Sequence, residues 1–219
     1  MLIKNHALKA YYSLTFFLFL GLLSGTSAYS QPTAIQAAPA FSAEELQALP
    51  REGWLTNGGN LYNQRYSPLS QINKQNVASL KAVWRTHLNG SGLDPIYSGE
   101  GQPIVYDGVL YVATGEDDVF ALSLASGEIL WSFEAGLDPS IDVICCGWNN
   151  RGVALGDGKV FVGLLDNRLM ALDQKTGETV WSVQTERWQD GFSITSAPLY
   201  YNGMVITGSA GAEFGVRGR

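Results

Sequence analysis

The stretch that decides the fold is YDGVLYVATGEDDVFALSLASGEILW, residues 106–131, because most of its pattern returns further along the chain. Residues 156–181 read GDGKVFVGLLDNRLMALDQKTGETVW, so an Asp-Gly pair, an Ala-Leu pair, a Gly-Glu turn and a Trp all recur. Trp131 and Trp181, which end the two copies, stand 50 residues apart. A third copy begins with YNGMVITG at 201–208. The chain is therefore built on an internal repeat.

Each repeat reads as a set of β-strands. Asp-Gly and Asn-Gly pairs suit tight turns, because Gly and Asn tolerate positive φ. The segments between the turns are β-branched and aromatic, as strands prefer. Repeats of about 40–50 residues with several strands and a fixed aromatic are typical of β-propeller blades. We predict an all-β propeller of Trp-containing blades, of which this chain supplies roughly the first three, with each Trp packed between neighbouring blades.

The repeat also bears on the extent of the protein. An incomplete copy ends at Trp84, and the third copy has its first strand but no Thr-Gly turn or Trp. A propeller typically needs about four to eight blades to close its ring and protect its edge strands. We therefore expect this chain to be the N-terminal part of a longer protein.

The N-terminus has the order of a secretory signal peptide. Two lysines precede the apolar run LTFFLFLGLL at 14–23, and small residues follow it up to Ala28. The run is shorter than the roughly 20 residues that span a bilayer. We predict a cleaved signal peptide at 1–28, a flexible leader at 29–40 and the propeller part at 41–219; an uncleaved anchor is the alternative. Export predicts a periplasmic protein without a stable membrane span.

Charge and local patterns add smaller predictions. The net charge is −6 and the mature part has no basic cluster, which argues against nucleic acid as a partner. Ser42 followed by Glu45 has the spacing of a capping box and predicts a short helix over 42–49. A second short helix is predicted over 73–80.

The two cysteines of the chain, Cys145 and Cys146, are neighbours in sequence. A structural disulfide stabilises by closing a loop, and neighbours close almost none. A bond between adjacent cysteines would form a small strained ring, and such strain tends to lie at functional sites. Export would allow the bond to persist, whereas two free buried thiols are the alternative.

Three motifs carry a resemblance to a known family. Residues 54–69 read WLTNGGNLYNQRYSPL, residues 145–152 read CCGWNNRG, and residues 211–218 read GAEFGVRG. In this order they resemble the pyrroloquinoline quinone (PQQ) dependent alcohol dehydrogenases, and the resemblance extends over residues 54–219. It implies an eight-bladed β-propeller.

The resemblance implies roles for the matching residues. Cys145 and Cys146 would form a disulfide that lies against one face of PQQ, and Arg151 would reach a quinone oxygen. Glu213 would be a ligand of calcium, a cation that prefers carboxylate oxygens, with a lanthanide as the alternative metal. The remaining implied cofactor contacts are Glu100, Thr195, Gly211 and Ala212. Departures from the family pattern include Trp148, which could line the substrate entrance.

The resemblance also implies a function. A quinoprotein oxidoreductase of this family oxidises a small primary or secondary alcohol to an aldehyde or ketone and passes electrons to a cytochrome c. No catalytic residue is expected in this chain, because the base aspartate, the calcium-binding asparagine and the tryptophan on the other PQQ face would lie beyond Arg219. The chain alone is therefore expected to be inactive.

Two alternatives remain open from the sequence. A non-catalytic propeller scaffold of the outer-membrane assembly type would share the repeat but would not need Cys145, Cys146, Arg151 and Glu213 together. A PQQ-dependent sugar or polyol dehydrogenase would share the fold and differ only in its substrate pocket.

Overall fold

Two four-stranded antiparallel sheets follow one another along the chain, and a two-stranded hairpin comes after them. The structure is a computed structural model that describes residues 34–92 and 97–218. The predicted signal peptide, 1–28, and the first part of the predicted leader, 29–33, lie outside the described residues. Within the described ranges, no helix is both long and apolar enough to cross a membrane.

The strands follow the repeat of the sequence. Two short parallel strands are β1 (Tyr97–Ser98) and its partner β6 (Trp148–Asn149). The first blade consists of β2 (Ile104–Tyr106), β3 (Val109–Ala113), β4 (Val119–Ser123) and β5 (Ile129–Phe133). The second blade consists of β7 (Ala154–Gly156), β8 (Lys159–Gly163), β9 (Arg168–Asp173) and β10 (Thr179–Gln184). The hairpin that begins the third repeat consists of β11 (Leu199–Tyr201) and β12 (Met204–Ile206).

The two blades have the same register because they have the same sequence pattern. Tyr111 pairs with Ala121 in the first blade, and Phe161 pairs with Ala171 in the second. All four side chains are buried. Each Asp-Gly turn places its aspartate and glycine at positive φ, as the turn requires. The repeated residues therefore form the core of each sheet.

The same tryptophan contact joins successive repeats. Trp131, at the edge of the first blade, lies on Gly177 of the second, where an added Cβ would stand 2.6 Å from the ring. Its indole N–H donates to the carbonyl oxygen of Gln174 at 3.0 Å. Trp84 lies on the first blade in the same way, with its indole N–H donating to the Leu124 carbonyl at 2.9 Å. The prediction that these tryptophans pack between repeats is confirmed.

Residues 34–40, the described part of the predicted leader, are attached to the second blade. The amide of Ala38 donates to the Gln174 side-chain oxygen at 2.6 Å, and the Gln174 amide group donates to the Gln36 carbonyl at 3.1 Å and the Tyr111 hydroxyl at 2.9 Å. Gln174 is fully buried. The segment is also bonded to the turn between β7 and β8, since the amides of Asp157 and Gly158 donate to the carbonyls of Pro39 and Ala38. The flexible leader over 29–40 stays a prediction.

The helices are short. The predicted first helix is present as α1 (Ala43–Gln47), with Ser42 and Glu45 forming both bonds of the capping box. The predicted second helix is wrong: the region holds only a 3₁₀ turn at Val77–Ser79. The asparagine side chains there bond the local backbone, since Asn76 Oδ1 accepts from the amide of Asn73 at 2.9 Å, and such bonds compete with helix formation. Two further 3₁₀ turns are Trp188–Asp190 and Ala212–Phe214.

The contact of Trp131 with the second blade predicts a large effect on stability. Replacing Trp131, which is 7% exposed, with Ala should lower the free energy of unfolding by about 3–5 kcal/mol, because the change leaves a cavity between blades. The matched control is Ile129→Ala on the same strand, where the side chain is 37% exposed and the loss should be well below that of Trp131→Ala. Urea unfolding measures both, and equal losses would contradict the interpretation.

Candidate functional site

The predicted site residues stand just before the first strand of each sheet. Glu100 precedes β2, Arg151 precedes β7 and Thr195 precedes β11. The Arg151 guanidinium forms an ion pair with the Glu100 carboxylate at 2.9 Å and donates to the Thr195 hydroxyl at 2.9 Å. Three residues that lie 51 and 44 positions apart in sequence therefore meet at one point.

The Arg151 cluster is open to solvent on one side. The side chains of Arg151 and Glu100 are 46% and 44% exposed. An ion pair this exposed contributes only about 0–1 kcal/mol to stability, so stability is a weak reason for its presence. Its two fixed partners instead orient a cation that is still accessible to an anionic ligand.

Cys145 and Cys146 lie in the loop that leads to Arg151. They are exposed free thiols, and their sulfur atoms are 3.0 Å apart, whereas a covalent bond is about 2.05 Å long. Cys146 has a φ of +67° and is followed by Gly147 at +98°. A non-glycine residue with this backbone is uncommon and often lies at a binding site. The predicted disulfide is not formed in this structure and stays a prediction.

The charge of Glu213 reaches the cysteine pair. The hydrogen bond and the charge of Cys146 raise the pKa of the Cys145 thiol, with smaller contributions from burial and from Glu213. A raised pKa keeps Cys145 protonated at neutral pH, so it is neither an activated nucleophile nor a ready metal ligand. Glu213, which is 68 residues from Cys145 in the sequence, makes the smallest of these contributions.

The segment that carries Glu213 turns sharply at Gly211. Gly211 is buried, has a φ of +119°, and an added Cβ would overlap the Gly191 carbonyl oxygen. Ala210 is held beside Ser193 by a backbone hydrogen bond of 2.7 Å. The 3₁₀ turn Ala212–Phe214 then leaves the side chains of Ala212 and Glu213 exposed. The glycine is required by the backbone, and the exposed turn after it is available to a ligand.

Comparison with known proteins shows the family of the chain. The family model described as "Glucose/ethanol/alcohol dehydrogenase, beta-propeller domain", with PQQ as its short name, matches residues 54–216, which is more than half of the chain. The chain belongs to this PQQ dehydrogenase family. The predicted all-β propeller class is thereby confirmed.

Individual relatives agree with the family. The chain is 40% identical over 185 residues to quinoprotein alcohol dehydrogenase PedH of Pseudomonas putida, covering 84% of this chain and 30% of that protein. It is 43% identical over 171 residues to 1-butanol dehydrogenase (cytochrome c) of Thauera butanivorans, covering 75% of this chain and 23% of that one. A solved europium-containing methanol dehydrogenase superposes with a TM-score of 0.69 at 36% identity, covering 76% and 29%. The chain thus spans a third or less of the length of these relatives.

For this member of the PQQ dehydrogenase family, the hypothesis for Trp148 is wrong. Trp148 is 3% exposed, lies in β6 beside β1, and donates its indole N–H to the Ile141 carbonyl at 2.9 Å. A side chain buried in this way cannot line a substrate entrance. It anchors the loop that holds the cysteines.

Two buried residues, Asn150 and Asp117, contact each other next to Arg151 and were given no role from the sequence alone. Asn150 is fully buried, and its amide group donates to the Asp117 carboxylate at 2.7 Å. One signal was present: Asn150 stands four residues before β7, as Glu100 and Thr195 stand four residues before β2 and β11. Asp117 gave no signal, because an acidic residue in a turn is usually exposed.

Asp117 is a buried carboxyl with a perturbed pKa. Complete burial raises its pKa well above the usual range, hydrogen bonds from Asn150 and the Leu165 amide lower it, and the charges of Asp166 and Asp118 raise it further. Among the described residues, no group of three or more His, Cys, Asp or Glu could hold a metal ion. Glu213 therefore does not form a metal centre with other described residues of these types. Asp117 is buried and bonded to Asn150 and the Leu165 amide, so its role lies in holding the fold.

The raised pKa of Asp117 predicts how stability depends on pH. The folded state holds the proton more tightly than the unfolded state, so the free energy of unfolding should fall as pH rises above the ordinary carboxyl pKa of about 4, until the raised folded pKa is passed. Asp117→Asn cannot ionise and should lack this part of the pH dependence. Urea unfolding of the unsubstituted protein and of Asp117→Asn over a pH series gives the difference between their free energies of unfolding. A difference that does not vary with pH would contradict the prediction.

The backbone at Gly211 predicts a local cost. Gly211→Ala should lower the free energy of unfolding by about 1–3 kcal/mol, because a Cβ is strained at this φ and collides with the Gly191 carbonyl. Gly208→Ala on the same segment is the matched control, since its Cβ would meet nothing within 4 Å. Thermal unfolding distinguishes them, and a Gly211 variant as stable as its control would rule out the constraint.

Proposed function

We propose that the protein containing this chain is an exported PQQ-dependent alcohol dehydrogenase that oxidises an alcohol to an aldehyde or ketone. The observation that carries the proposal is the meeting of Arg151, Glu100 and Thr195 at one point, six residues after Cys145 in the sequence. A non-catalytic propeller would have no use for an accessible cation fixed by two partners at this place. The relatives named above support an oxidoreductase acting on alcohols.

The residues present fit an anionic, planar cofactor. Arg151 supplies a cation with donors in a fixed plane, suited to carboxylate and quinone oxygens, and Thr195 supplies a hydroxyl. The turn at Gly211 and Ala212 has no bulky side chain, so a ligand can approach its backbone closely. When bound, PQQ supplies the redox chemistry, and the chain supplies binding, orientation and electrostatics.

Glu213 is proposed as one ligand of a metal ion. Its side chain is exposed on the turn after Gly211, and a carboxylate is the preferred ligand of calcium. A lanthanide is the alternative, supported by the europium-containing relative. The other ligands, and the base aspartate, are expected beyond Arg219.

Electron transfer and location complete the proposal. A cytochrome c is the proposed electron acceptor, supported by the cytochrome c-linked 1-butanol dehydrogenase among the relatives. Cleavage near Ala28 would release the protein into the periplasm, and the mature N-terminus then begins a few residues before the segment attached to Gln174. A sugar or polyol substrate would use the same cofactor residues.

The proposed disulfide has a direct test. Oxidation of the Cys145 and Cys146 thiols, whose sulfurs are already 3.0 Å apart, should give an intact protein lighter by two hydrogen atoms and unreactive toward thiol reagents until reduced. Mass spectrometry of the protein purified from the periplasm measures this. Two alkylatable cysteines in the exported protein would contradict the disulfide.

The proposed function predicts the effect of two substitutions in the whole protein. Arg151→Lys should lower kcat/KM for alcohol by about 10²–10³-fold, since a lysine cannot keep both contacts of the guanidinium. Glu213→Gln should shift the calcium concentration needed for half-maximal activity upward. Dye reduction by apo-protein reconstituted with PQQ and calcium measures both.

The matched control for Arg151→Lys is Lys159→Arg, because Lys159 forms an ion pair with Asp157 at 2.9 Å at the turn between β7 and β8, the opposite end of the second blade from Arg151. This variant should keep the activity of the unsubstituted protein. Failure of the unsubstituted protein to bind PQQ or to reduce the dye would reject the enzyme and favour the scaffold.

A further inference from the structure

Asn150 is buried immediately beside Arg151 in the sequence, and both polar atoms of its side chain are hydrogen-bonded. Its side-chain amide group donates to Asp117 Oδ1 at 2.7 Å and to the Gly163 carbonyl at 2.9 Å. Its side-chain oxygen accepts from the amide of Gly152 at 2.8 Å. With no exposed surface, Asn150 cannot contact a ligand. Its effect on a bound molecule must pass through its neighbours.

Asp117 makes Asn150 a link between blades. Asp117 lies in the turn after β3 of the first blade, with a φ of +67°. Its carboxylate accepts from Asn150 through one oxygen and from the amide of Leu165, at 2.5 Å, through the other. One buried side chain of the first blade therefore holds the second blade at two points, on either side of β7 and β8.

The backbone around Arg151 is held from several directions. Its amide donates to the Thr195 carbonyl at 3.1 Å, and its carbonyl accepts from the amide of Gln102 at 3.2 Å. Gly152 has a φ of +128°, and an added Cβ would lie 2.9 Å from the Gln102 carbonyl. The position of the Arg151 Cα is thus fixed by the buried contacts, while its guanidinium is half exposed.

We propose that Asn150 is a positioning residue of the PQQ site, and that its buried bond to Asp117 sets the position of Arg151. This inference rests on the proposed function, since Arg151 is taken to bind PQQ. A small displacement of a binding group can cost up to about 10²-fold in a positioned reaction, so a residue that never touches the cofactor can control its affinity.

The first measurement needs no cofactor. Asn150→Ala leaves the amide of Gly152 without its acceptor, and hydrogen exchange at residues 151 and 152 should speed up by roughly tenfold or more. The control is Trp131→Phe, which removes the bond from Trp131 to the Gln174 carbonyl between the same two blades. That bond lies at the opposite end of the second blade, because β8 and β9 are antiparallel and Gln174 follows the end of β9.

The second measurement is PQQ affinity of the whole apo-protein with calcium present. Asn150→Ala should weaken PQQ binding by about tenfold relative to Trp131→Phe, even though both variants lose an interblade hydrogen bond. The exchanged pair, Asp117→Asn with Asn150→Asp, restores an amide-to-carboxylate contact and should recover part of the affinity that Asn150→Asp alone loses.

The outcomes separate the two proposals. If the unsubstituted protein binds no PQQ, the proposed function fails, and hydrogen exchange alone still decides whether Asn150 holds Arg151. If exchange at 151 and 152 is the same in Asn150→Ala and Trp131→Phe, or if Asn150→Ala binds PQQ normally, the positioning role is overturned. If Asn150→Ala does not fold, the exchanged pair decides: recovery supports the role, and a pair no better than Asn150→Asp refutes it.

Discussion

The packing of one tryptophan ring on the glycine of the following blade is the interaction on which the rest of the molecule depends. Trp131 packs on Gly177 and holds two sheets in contact, and its indole N–H adds one hydrogen bond to the Gln174 carbonyl. The site residues come from loops of successive sheets. A change in the angle between sheets would therefore separate Glu100, Arg151 and Thr195 without altering any strand.

The two blades are tied at both ends by chemically different contacts. At one end Trp131 and Gly177 provide apolar contact and a single hydrogen bond. At the other, the buried Asp117 carboxylate is bound by Asn150 and the Leu165 amide. The apolar end tolerates small shifts, whereas a buried carboxylate does not, because losing a partner leaves a charge or a polar group unsatisfied. The polar contact lies at the end of the blades that carries Arg151, where the position of a ligand-binding group must be well defined.

Much of the fold could be predicted because the repeat encodes it locally. The Asp-Gly turns and the alternating apolar residues fix strands and register within about 50 residues, and the structure follows them. The errors come from side chains that compete with local preference. The Asn76 side chain bonds the local backbone and competes with the second helix, and Trp148 is buried with its indole N–H donating to the Ile141 carbonyl.

The candidate site was only partly accessible from sequence. Arg151, Glu213 and the cysteines were found through motifs, because such residue types in that order resemble a family. The contacts of Arg151 with Glu100 and Thr195 join residues tens of positions apart, and no local pattern contains them. Asp117 was missed for the same reason: its partners lie 33 and 48 residues away.

The attachment of Gln36 and Ala38 to Gln174 has a consequence for the order of folding. Ala38 and Gln174 are 136 residues apart in sequence, so their bond closes a long loop, and its entropic cost must be met before the contact forms. The groups that receive the segment exist only after β9 has paired and Tyr111 has been buried. The N-terminal segment therefore docks late, after both blades are assembled. A segment that lies ahead of both blades in the sequence is thus expected to be among the last to take its place in the fold.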